Sequence, residues 1–299
     1  MDRSGRGWLG RPSLSIGRRS ESRDMQDTIS VDNSVYAREP LCLRGEIPVF
    51  SEPSEYVENY EKISQDHLAE MEKSGTNPFI GETLWVELEN STVQLVEKYS
   101  KPGEKILDVG VGLGRILSRF PALEKYGMDI SLEYLELARK NDINVCYSLV
   151  EDMPYKEETF DLVIATDVLE HVLDLNLSLK KMLGVLKQGG VLIIRVPYRE
   201  DLEVYNDPTL PYKFIHLRNF DDASLKLLFE RIFDCECLES LPVVHYLQHP
   251  NRFKFRLPRG EYKLFLMIQK FKDSYPSFYQ KLVKKLVLPI EINLVVRKK

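Results

Sequence analysis

The sequence predicts an α/β fold in which helices cover both faces of a mostly parallel β-sheet. From Lys105 onward, short apolar runs alternate with helical patterns, beginning with KILDVG and closing with EINLVVRKK. Strands that alternate with helices are joined by crossover connections, which produce parallel sheets buried on both faces. The chain has 299 residues, 43% of them apolar and 29% charged. This composition is that of a globular protein, and the length is sufficient for one large domain with an appendage.

The segments before the first strand have a different character. Residues 1–30 are rich in Arg, Ser and Gly and show no periodicity, which predicts a disordered tail. Residues 31–80 are predicted to form a helical cap, because Glu55–Ser74 carries a stripe at helical intervals: Tyr56, Tyr60, Ile63, His67 and Met71. His67 in this stripe is interpreted as a packing residue. A second helix over Thr83–Tyr99 opens the main domain, which is predicted to span 81–299.

The elements of the main domain follow in a regular order. The predicted strands are KILDVG, KYGMDI, NVCYSL, FDLVIAT, GGVLIIRVP, CECLESL and EINLVVRKK. The predicted helices between them are LGRILSRF, SLEYLELARKN, LNLSLKKMLGVLK and ASLKLLFERIF. An aromatic and basic insertion at 242–289 interrupts the alternation before the last strand.

A glycine-rich loop follows the first of these strands. It contains Asp108, Gly110, Gly112 and Gly114, and we expect it to open a helix. Glycines let the backbone turn sharply and approach a ligand closely. The spacing is G-x-G-x-G, whereas a dinucleotide fingerprint needs its third glycine one residue later, where this chain has Arg115. An acid two residues before the first glycine suits a cationic amine better than a pyrophosphate. The loop therefore favours an amino-acid nucleoside over NAD.

The run LDVGVGLGR resembles the first motif of class I S-adenosylmethionine-dependent methyltransferases, and four later motifs keep the order of that family. The resemblance covers about residues 80–240 plus the last strand. It implies a Rossmann-like sheet of seven strands, with helices on both faces and the last strand antiparallel. It also implies that S-adenosyl-L-methionine is the cofactor.

The same resemblance implies roles for individual residues. Asp129 ends the second strand, where an acid accepts hydrogen bonds from both ribose hydroxyls. Asp152 follows the third strand, as does the acid that binds the adenine amino group. The residues assigned to the cofactor site are Asp108, Gly110, Gly112, Gly114, Asp129, Ile130, Asp152, Met153 and Thr166.

His171 is the candidate catalytic residue. It lies just beyond the carboxyl end of the fourth strand, at the edge where parallel sheets bind ligands. A hydroxyl that attacks the sulfonium methyl must lose its proton, and a neutral imidazole can accept it. The alternative is that His171 packs in the fold or forms a shelf for the cofactor, because DVLEH occurs in family members with different acceptors.

A metal site is a further alternative at the same motif. Asp167, Glu170 and His171 resemble the E-x-x-E-H site of small-RNA 2′-O-methyltransferases and of some quinone-pathway O-methyltransferases. A divalent ion there would lower the pKa of a bound hydroxyl. We assign no metal ligand, because further histidines are not evident at a family spacing.

Two other groups lie near the expected ligand edge. Tyr198 and Arg199 follow the fifth strand, and His216 and Arg218 precede a helix that Asp221 is positioned to cap. We interpret Tyr198, Arg199, His216 and Arg218 as surface residues or as supports of the acceptor site.

Charge is distributed unevenly along the chain. The net charge is −5, but residues 1–250 carry 28 Lys and Arg against 43 Asp and Glu, whereas residues 251–299 carry 13 against 3. The acidic body argues against general nucleic-acid binding. The basic end could meet a phosphorylated substrate or an anionic bilayer, or could be a solvated face.

The end of the insertion shows the pattern of an amphipathic helix. After Pro276, lysines alternate with an apolar stripe that comprises Phe278, Tyr279, Leu282, Val283, Leu286 and Val287. One interpretation is a peripheral contact with an anionic membrane. The other is a lid that packs on the core over the acceptor pocket.

Together these observations predict an S-adenosylmethionine-dependent methyltransferase that O-methylates a hydroxyl of a sugar, a glycan or another small metabolite. The alternatives are a metal-assisted O-methyltransferase of a quinone precursor or an RNA 3′ end, and a noncatalytic S-adenosylmethionine-binding subunit. The four cysteines have neither zinc-type spacing nor the density of a disulfide scaffold. They predict a reducing, cytoplasmic compartment.

Overall fold

The computed structural model describes residues 34–245, 247, 252–255 and 260–299. The predicted tail at 1–30 lies outside these residues. Within the described part of the chain, nine strands form one sheet in the order β1-β2-β5-β4-β3-β6-β7-β9-β8. They are β1 (Cys42–Arg44), β2 (Ile47–Val49), β3 (Lys105–Val109), β4 (Glu124–Asp129), β5 (Asn144–Tyr147), β6 (Phe160–Thr166), β7 (Leu186–Pro197), β8 (Glu236–Val243) and β9 (Glu291–Arg297).

The predicted direction of the strands is confirmed. Strands β2 to β7 pair in parallel wherever they are neighbours, and β9 runs antiparallel between β7 and β8. The strand number was predicted wrongly, because β1 and β2 add a hairpin to the edge at β5. Each has three residues, which is too short to show a period in sequence. Gly45, at φ +59°, makes the turn between them.

Eight helices accompany the sheet in the described residues. They are α1 (Glu55–Ser74), α2 (Glu82–Tyr99), α3 (Leu132–Arg139), α4 (Leu175–Val185), α5 (Asp222–Leu227), α6 (Glu261–Gln269), α7 (Phe271–Ser274) and α8 (Pro276–Leu286). The first lies where its periodicity predicts it. Ser54 caps its N-terminus by accepting from Val57 N–H, and Gly75 ends it at φ +71°.

The helix predicted after the glycine loop is absent. Instead Leu117–Arg119 forms one 3₁₀ turn. Gly114 has φ +72°, so a right-handed helix cannot begin before Arg115. Pro121 disfavours helical geometry at the residue that precedes it. Too little chain remains between these two points for an α-helix.

The two faces of the sheet bury separate apolar clusters. On one face, α1, α2 and α3 pack against strand residues that include Ile106 and Ile164. On the other, α4 and α5 pack against Leu107 and Val163. Neighbouring residues of one strand therefore serve opposite faces, as expected for a sheet covered on both sides.

The insertion between β8 and β9 has a small apolar cluster of its own. Tyr279, Val283 and Val287 of the predicted stripe are buried there against Leu247, Phe253 and Ile268. Most of the stripe thus packs within the insertion, whereas Phe278 is exposed. In the described part of the chain, no helix is long and apolar enough to cross a bilayer.

Candidate functional site

A cavity of about 1330 Å³ opens at the carboxyl ends of the parallel strands. Gly110 after β3, Asp129 at the end of β4, Ser148 after β5 and Asp167 after β6 all line it. This edge is where open α/β sheets bind ligands. The cavity is large enough for a nucleoside cofactor together with a small acceptor.

The first two glycines of the loop form part of the cavity wall. Gly110 has φ +75°, and a Cβ at this position would lie 2.5 Å from Val168 Cγ2. Gly112, at φ +50°, faces open space, and its N–H donates to Asp129 Oδ2 at 2.9 Å. These positions need glycine for backbone conformation, and at Gly110 also for space.

Gly114 and Asp108 do not line the cavity. A Cβ on Gly114 would lie 2.7 Å from Ile143 Cδ1, so this glycine allows close packing. The Asp108 carboxyl is buried, and its Oδ1 has no hydrogen-bond partner within the described part of the chain. Burial, together with the charge of Asp129, raises the pKa of Asp108 well above its usual value.

Asp129 occupies the position expected for a ribose-binding acid. Its carboxylate accepts from the N–H groups of Gly112, Ile130 and Ser131 at 2.8–3.0 Å. Burial raises the pKa of Asp129 to about 6, and the three backbone hydrogen bonds oppose this shift. Both Asp129 and Ile130 line the cavity.

The other predicted cofactor residues lie just behind the cavity wall. The wall after β5 is formed by residues 148–151. Asp152 Oδ2 instead accepts from Ser51 Oγ at 2.9 Å, and Met153 is buried in the core. Thr166 precedes Asp167, which is the residue that lines the cavity at the end of β6.

His171 lines the same cavity and is held by two groups at Nδ1. The Ile215 carbonyl lies 3.0 Å away and the Tyr60 hydroxyl 2.8 Å away. A carbonyl can only accept, so Nδ1 carries the proton and Nε2 keeps its lone pair. Burial and the neighbouring His216 lower the pKa of His171 to about 4. The imidazole is therefore neutral at physiological pH.

The fold brings His216 beside two residues of the D-x-x-E-H motif, Glu170 and His171. One ligand atom from each of Glu170, His171 and His216 lies within 4.8 Å of the others, a group that could hold a metal ion. Glu170 is fully buried, and neither carboxylate oxygen has a hydrogen-bond partner among the residues described. Burial and Asp167 raise the pKa of Glu170 well above its usual value. His216 was predicted near the ligand edge, but sequence spacing could not place it beside Glu170 and His171, because it belongs to a separate segment before α5.

An ion network lies beside the cavity, which two of its members, Asp167 and Glu291, line. Arg195 of β7 is buried, with Nη2 2.5 Å from Asp167 Oδ2 and Nε 2.6 Å from Glu291 Oε2. Burial and Asp167 raise the pKa of Glu291 to about 8 despite the cation. Neither Arg195 nor Glu291 was predicted as a site residue. A lone arginine in the apolar run VLIIRVP was the available signal, since a charge in a buried strand needs a partner.

The segment before α5 supports the site. Arg218 donates to the carbonyls of Leu169, Val172 and Leu173 and so holds the loop that carries His171. Asp221 caps α5 by accepting from Ser224 N–H, as predicted. The predicted residues Tyr198, Arg199 and His216 line the cavity, whereas Arg218 does not.

Helix α1 supplies cavity residues that the sequence did not identify as such. Tyr56 donates to the His171 carbonyl at 3.1 Å, and Tyr60 contacts the His171 ring edge-to-face. The aromatic stripe that predicts the helix is therefore also part of the site. His67 is buried, as expected, but it lines the cavity too.

Comparison of the sequence with known proteins identifies a family and several relatives. Residues 107–194 match the family described as methyltransferase domain. An uncharacterized protein of Methanocaldococcus jannaschii is 30% identical over 139 residues, which are 45% of this chain and 61% of that protein. A ubiquinone biosynthesis O-methyltransferase of Nitrobacter winogradskyi is 34% identical over 98 residues, which are 30% of this chain and 37% of that enzyme. The chain therefore matches only part of the length of these relatives.

Solved structures with the same fold include an S-adenosylmethionine-dependent methyltransferase of Thermotoga maritima, described as a possible histamine N-methyltransferase. It superposes with a TM-score of 0.51 at 20% identity and covers 81% of this chain and 99% of its own. At this identity the likeness concerns the fold, and the chemistry must be argued from the site.

Proposed function

Because this chain contains a class I S-adenosylmethionine-dependent methyltransferase domain, we propose that it transfers the sulfonium methyl group to a hydroxyl of a sugar, a glycan or another small metabolite. The observation that carries the proposal is geometric: His171 lines the same cavity as Gly110, Gly112 and Asp129, and its Nδ1 lies 3.0 Å from the Ile215 carbonyl, which assigns the proton to Nδ1 and leaves Nε2 as the acceptor. These groups provide a cofactor wall and a proton acceptor in one space.

The residues present fit the cofactor. Gly112 leaves open space at the loop, and the anionic Asp129 carboxylate faces the cavity where ribose hydroxyls would donate to it. The adenine ring would lie along residues 148–151, with Asp152 and Met153 immediately behind them. S-adenosylmethionine supplies an electrophilic methyl group on a positively charged sulfur.

The chain's own residues supply positioning and a base. The acceptor oxygen would attack the methyl carbon as the carbon–sulfur bond breaks, with the electron pair left on sulfur. Nε2 of His171 would take the hydroxyl proton, and Nδ1–H would stay on the Ile215 carbonyl. Tyr60 and Arg218 hold the ring and its loop, so the base keeps its orientation during the reaction.

Replacement of Asp129 tests the cofactor assignment. We expect Asp129→Ala to weaken S-adenosylmethionine binding by about 1–3 kcal/mol, because charge-assisted ribose hydrogen bonds are lost. Titration calorimetry measures this change and should show no binding of NAD. The exposed Asp273→Ala, in the insertion, serves as the control and should bind normally. An unchanged dissociation constant for Asp129→Ala would refute the ribose assignment.

Protonation of the Asp129 carboxyl should make cofactor affinity depend on pH. The pKa of Asp129 is raised to about 6, so its protonated form accumulates as the pH falls through that value. The neutral acid accepts hydrogen bonds more weakly, and cofactor affinity should therefore decrease below pH 6. Asp129→Ala should lose this dependence.

One observation favours a second function, metal-assisted O-methylation of a quinone precursor or an RNA 3′ end. The buried, unpartnered carboxylate of Glu170 lies beside His171 and His216, and a divalent ion held there would lower the pKa of a bound acceptor hydroxyl. This function would use His171 as a ligand and not as a base.

Metal removal separates the two functions. If His171 acts as the base, exhaustive chelation should leave turnover unchanged. Turnover that disappears in chelator and returns with added Mg²⁺, Mn²⁺ or Zn²⁺ would instead support the metal-assisted reaction. His216→Ala provides the matched variant. If a metal ion is bound by Glu170, His171 and His216, this variant should bind less metal per protein molecule. If His171 acts as the base without a metal, the variant has no bound metal to lose.

A further inference from the structure

The outward side of α6 carries large apolar and basic side chains together. Tyr262 is 64% exposed, Leu266 45% and Met267 52%, and Lys263 and Lys270 are also exposed. At 3.6 residues per turn, these five positions fall within one side of the helix. The opposite side packs inward, with Ile268 buried and Leu264 and Phe265 packed against the insertion's own cluster. The apolar residues on the outward side of α6 are therefore not part of the insertion's apolar cluster.

Helix α8 is divided in the same way. Tyr279 and Val283 are buried in the cluster, and Leu282 and Leu286 pack against it. Phe278, which is 52% exposed, shares the other side with the exposed Lys281 and Lys285 at intervals of three and four residues. Both long helices of the insertion thus present an aromatic or aliphatic group next to lysines.

The charge of this segment contrasts with that of the rest of the chain. Residues 260–286 contain six lysines and two acids, whereas residues 1–250 carry a large acidic excess. Lysine is depleted from protein–protein interfaces, whereas amphipathic helices that lie in a bilayer interface combine lysine with bulky apolar groups. The composition therefore favours a lipid surface over a protein partner.

We propose that the outward sides of α6 and α8 dock on the surface of an anionic bilayer. The apolar side chains Tyr262, Leu266, Met267 and Phe278 enter the boundary between headgroups and acyl chains. The lysine ammonium groups remain at the level of the lipid phosphates. Binding of this kind is peripheral and does not depend on methyl transfer.

The insertion that would contact the bilayer also contributes residues to the cavity. Arg252, at its start, donates to the carbonyls of Tyr198 and Arg199, and Arg252, Leu288 and Ile290 line the cavity. The insertion that carries α6 and α8 therefore also supplies part of the cavity wall. This shared segment favours an acceptor that is attached to a lipid.

Vesicle co-sedimentation of the full chain tests the proposal. We expect sedimentation with phosphatidylcholine vesicles that contain phosphatidylglycerol at low salt, and its loss at high salt. Vesicles of phosphatidylcholine alone should bind little, because the electrostatic attraction is missing.

Two double variants locate the contact. Lys263→Gln with Lys270→Gln should lower the partition coefficient roughly 30-fold, which corresponds to about 1 kcal/mol for each lysine near an anionic surface. Leu266→Ser with Met267→Ser should weaken binding at every salt concentration, because buried apolar area is lost. All four side chains are exposed, so the fold should tolerate these changes. Lys101→Gln with Lys180→Gln, two exposed lysines outside the insertion, removes equal charge and should leave binding unchanged.

Three results would overturn the proposal. The first is an absence of sedimentation with anionic vesicles at low salt. The second is equal loss of binding in the Lys101 and Lys180 control, which would indicate that lysines outside the insertion contribute as much to binding as those on α6. The third is concentration-dependent self-association that Phe278→Ser abolishes, because the face would then be an interface between copies of this chain.

Discussion

His171→Ala is expected to lower the turnover number roughly 10²–10⁴-fold and to leave the dissociation constant for S-adenosylmethionine nearly unchanged. The reason is that His171 combines two properties at the acceptor end of the cavity. Its Nδ1 is fixed on the Ile215 carbonyl, and its lowered pKa keeps Nε2 free to accept a proton. Single-turnover kinetics with a methylated product standard, together with cofactor calorimetry, measures both quantities.

Two matched variants distinguish a base from a packing residue at this position. His171→Asn can still donate to the Ile215 carbonyl but cannot accept a proton at the Nε2 position, so it should be as slow as the alanine variant. Tyr60→Phe removes one hydrogen bond to Nδ1 and keeps the aromatic packing, so it should have a much smaller effect on turnover. If His171→Asn retains turnover, or if the alanine variant loses only cofactor binding or stability, His171 is a packing or cofactor-shelf residue.

Arg195→Met should lower the free energy of unfolding by about 3–5 kcal/mol. Arg195 is 3% exposed and lies between Asp167 and Glu291, with the buried Glu170 close to the same acids. Methionine approximates the length of the side chain but provides no charge. Asp167 would then lose its cation and Glu291 its charged partner, and polar groups left without partners in the interior cost more than the lost packing.

Urea denaturation at neutral pH measures the loss, and Arg297→Met is the matched control. Arg297 lies on the neighbouring strand β9, and its guanidinium pairs with Glu236 at 2.9 Å on the protein surface. Exposed pairs of this kind contribute between zero and about 1 kcal/mol. Equal destabilisation of the two variants would show that the buried network at Arg195 has no special role in stability.

The sequence by itself determined the features that depend on local chemistry. Alternating apolar runs and helical periods predicted the parallel sheet, because period and chain direction are properties of consecutive residues. The bounds of α1 followed from its apolar and aromatic stripe. Gly110 and Gly112 were identified as loop glycines from the sequence. A positive φ and a close approach of the backbone to other atoms both require a residue without Cβ, whatever the fold. The motifs at the ends of the second and fourth predicted strands likewise predicted Asp129 and His171 at the ligand edge, and both residues line the cavity.

The tertiary structure alone decided which distant residues meet. The pairing of β7 with β9 aligns Pro197 with Glu291 and thus brings an acid from the last strand to Arg195. Packing of the segment before α5 brings His216 to Glu170 and His171. Neither contact can be predicted from the spacing of residues in the sequence. Strand register and loop packing follow from the burial of the whole core and not from neighbouring residues. The same reason accounts for the strands β1 and β2, which are too short to carry a pattern and are held by pairing with β5.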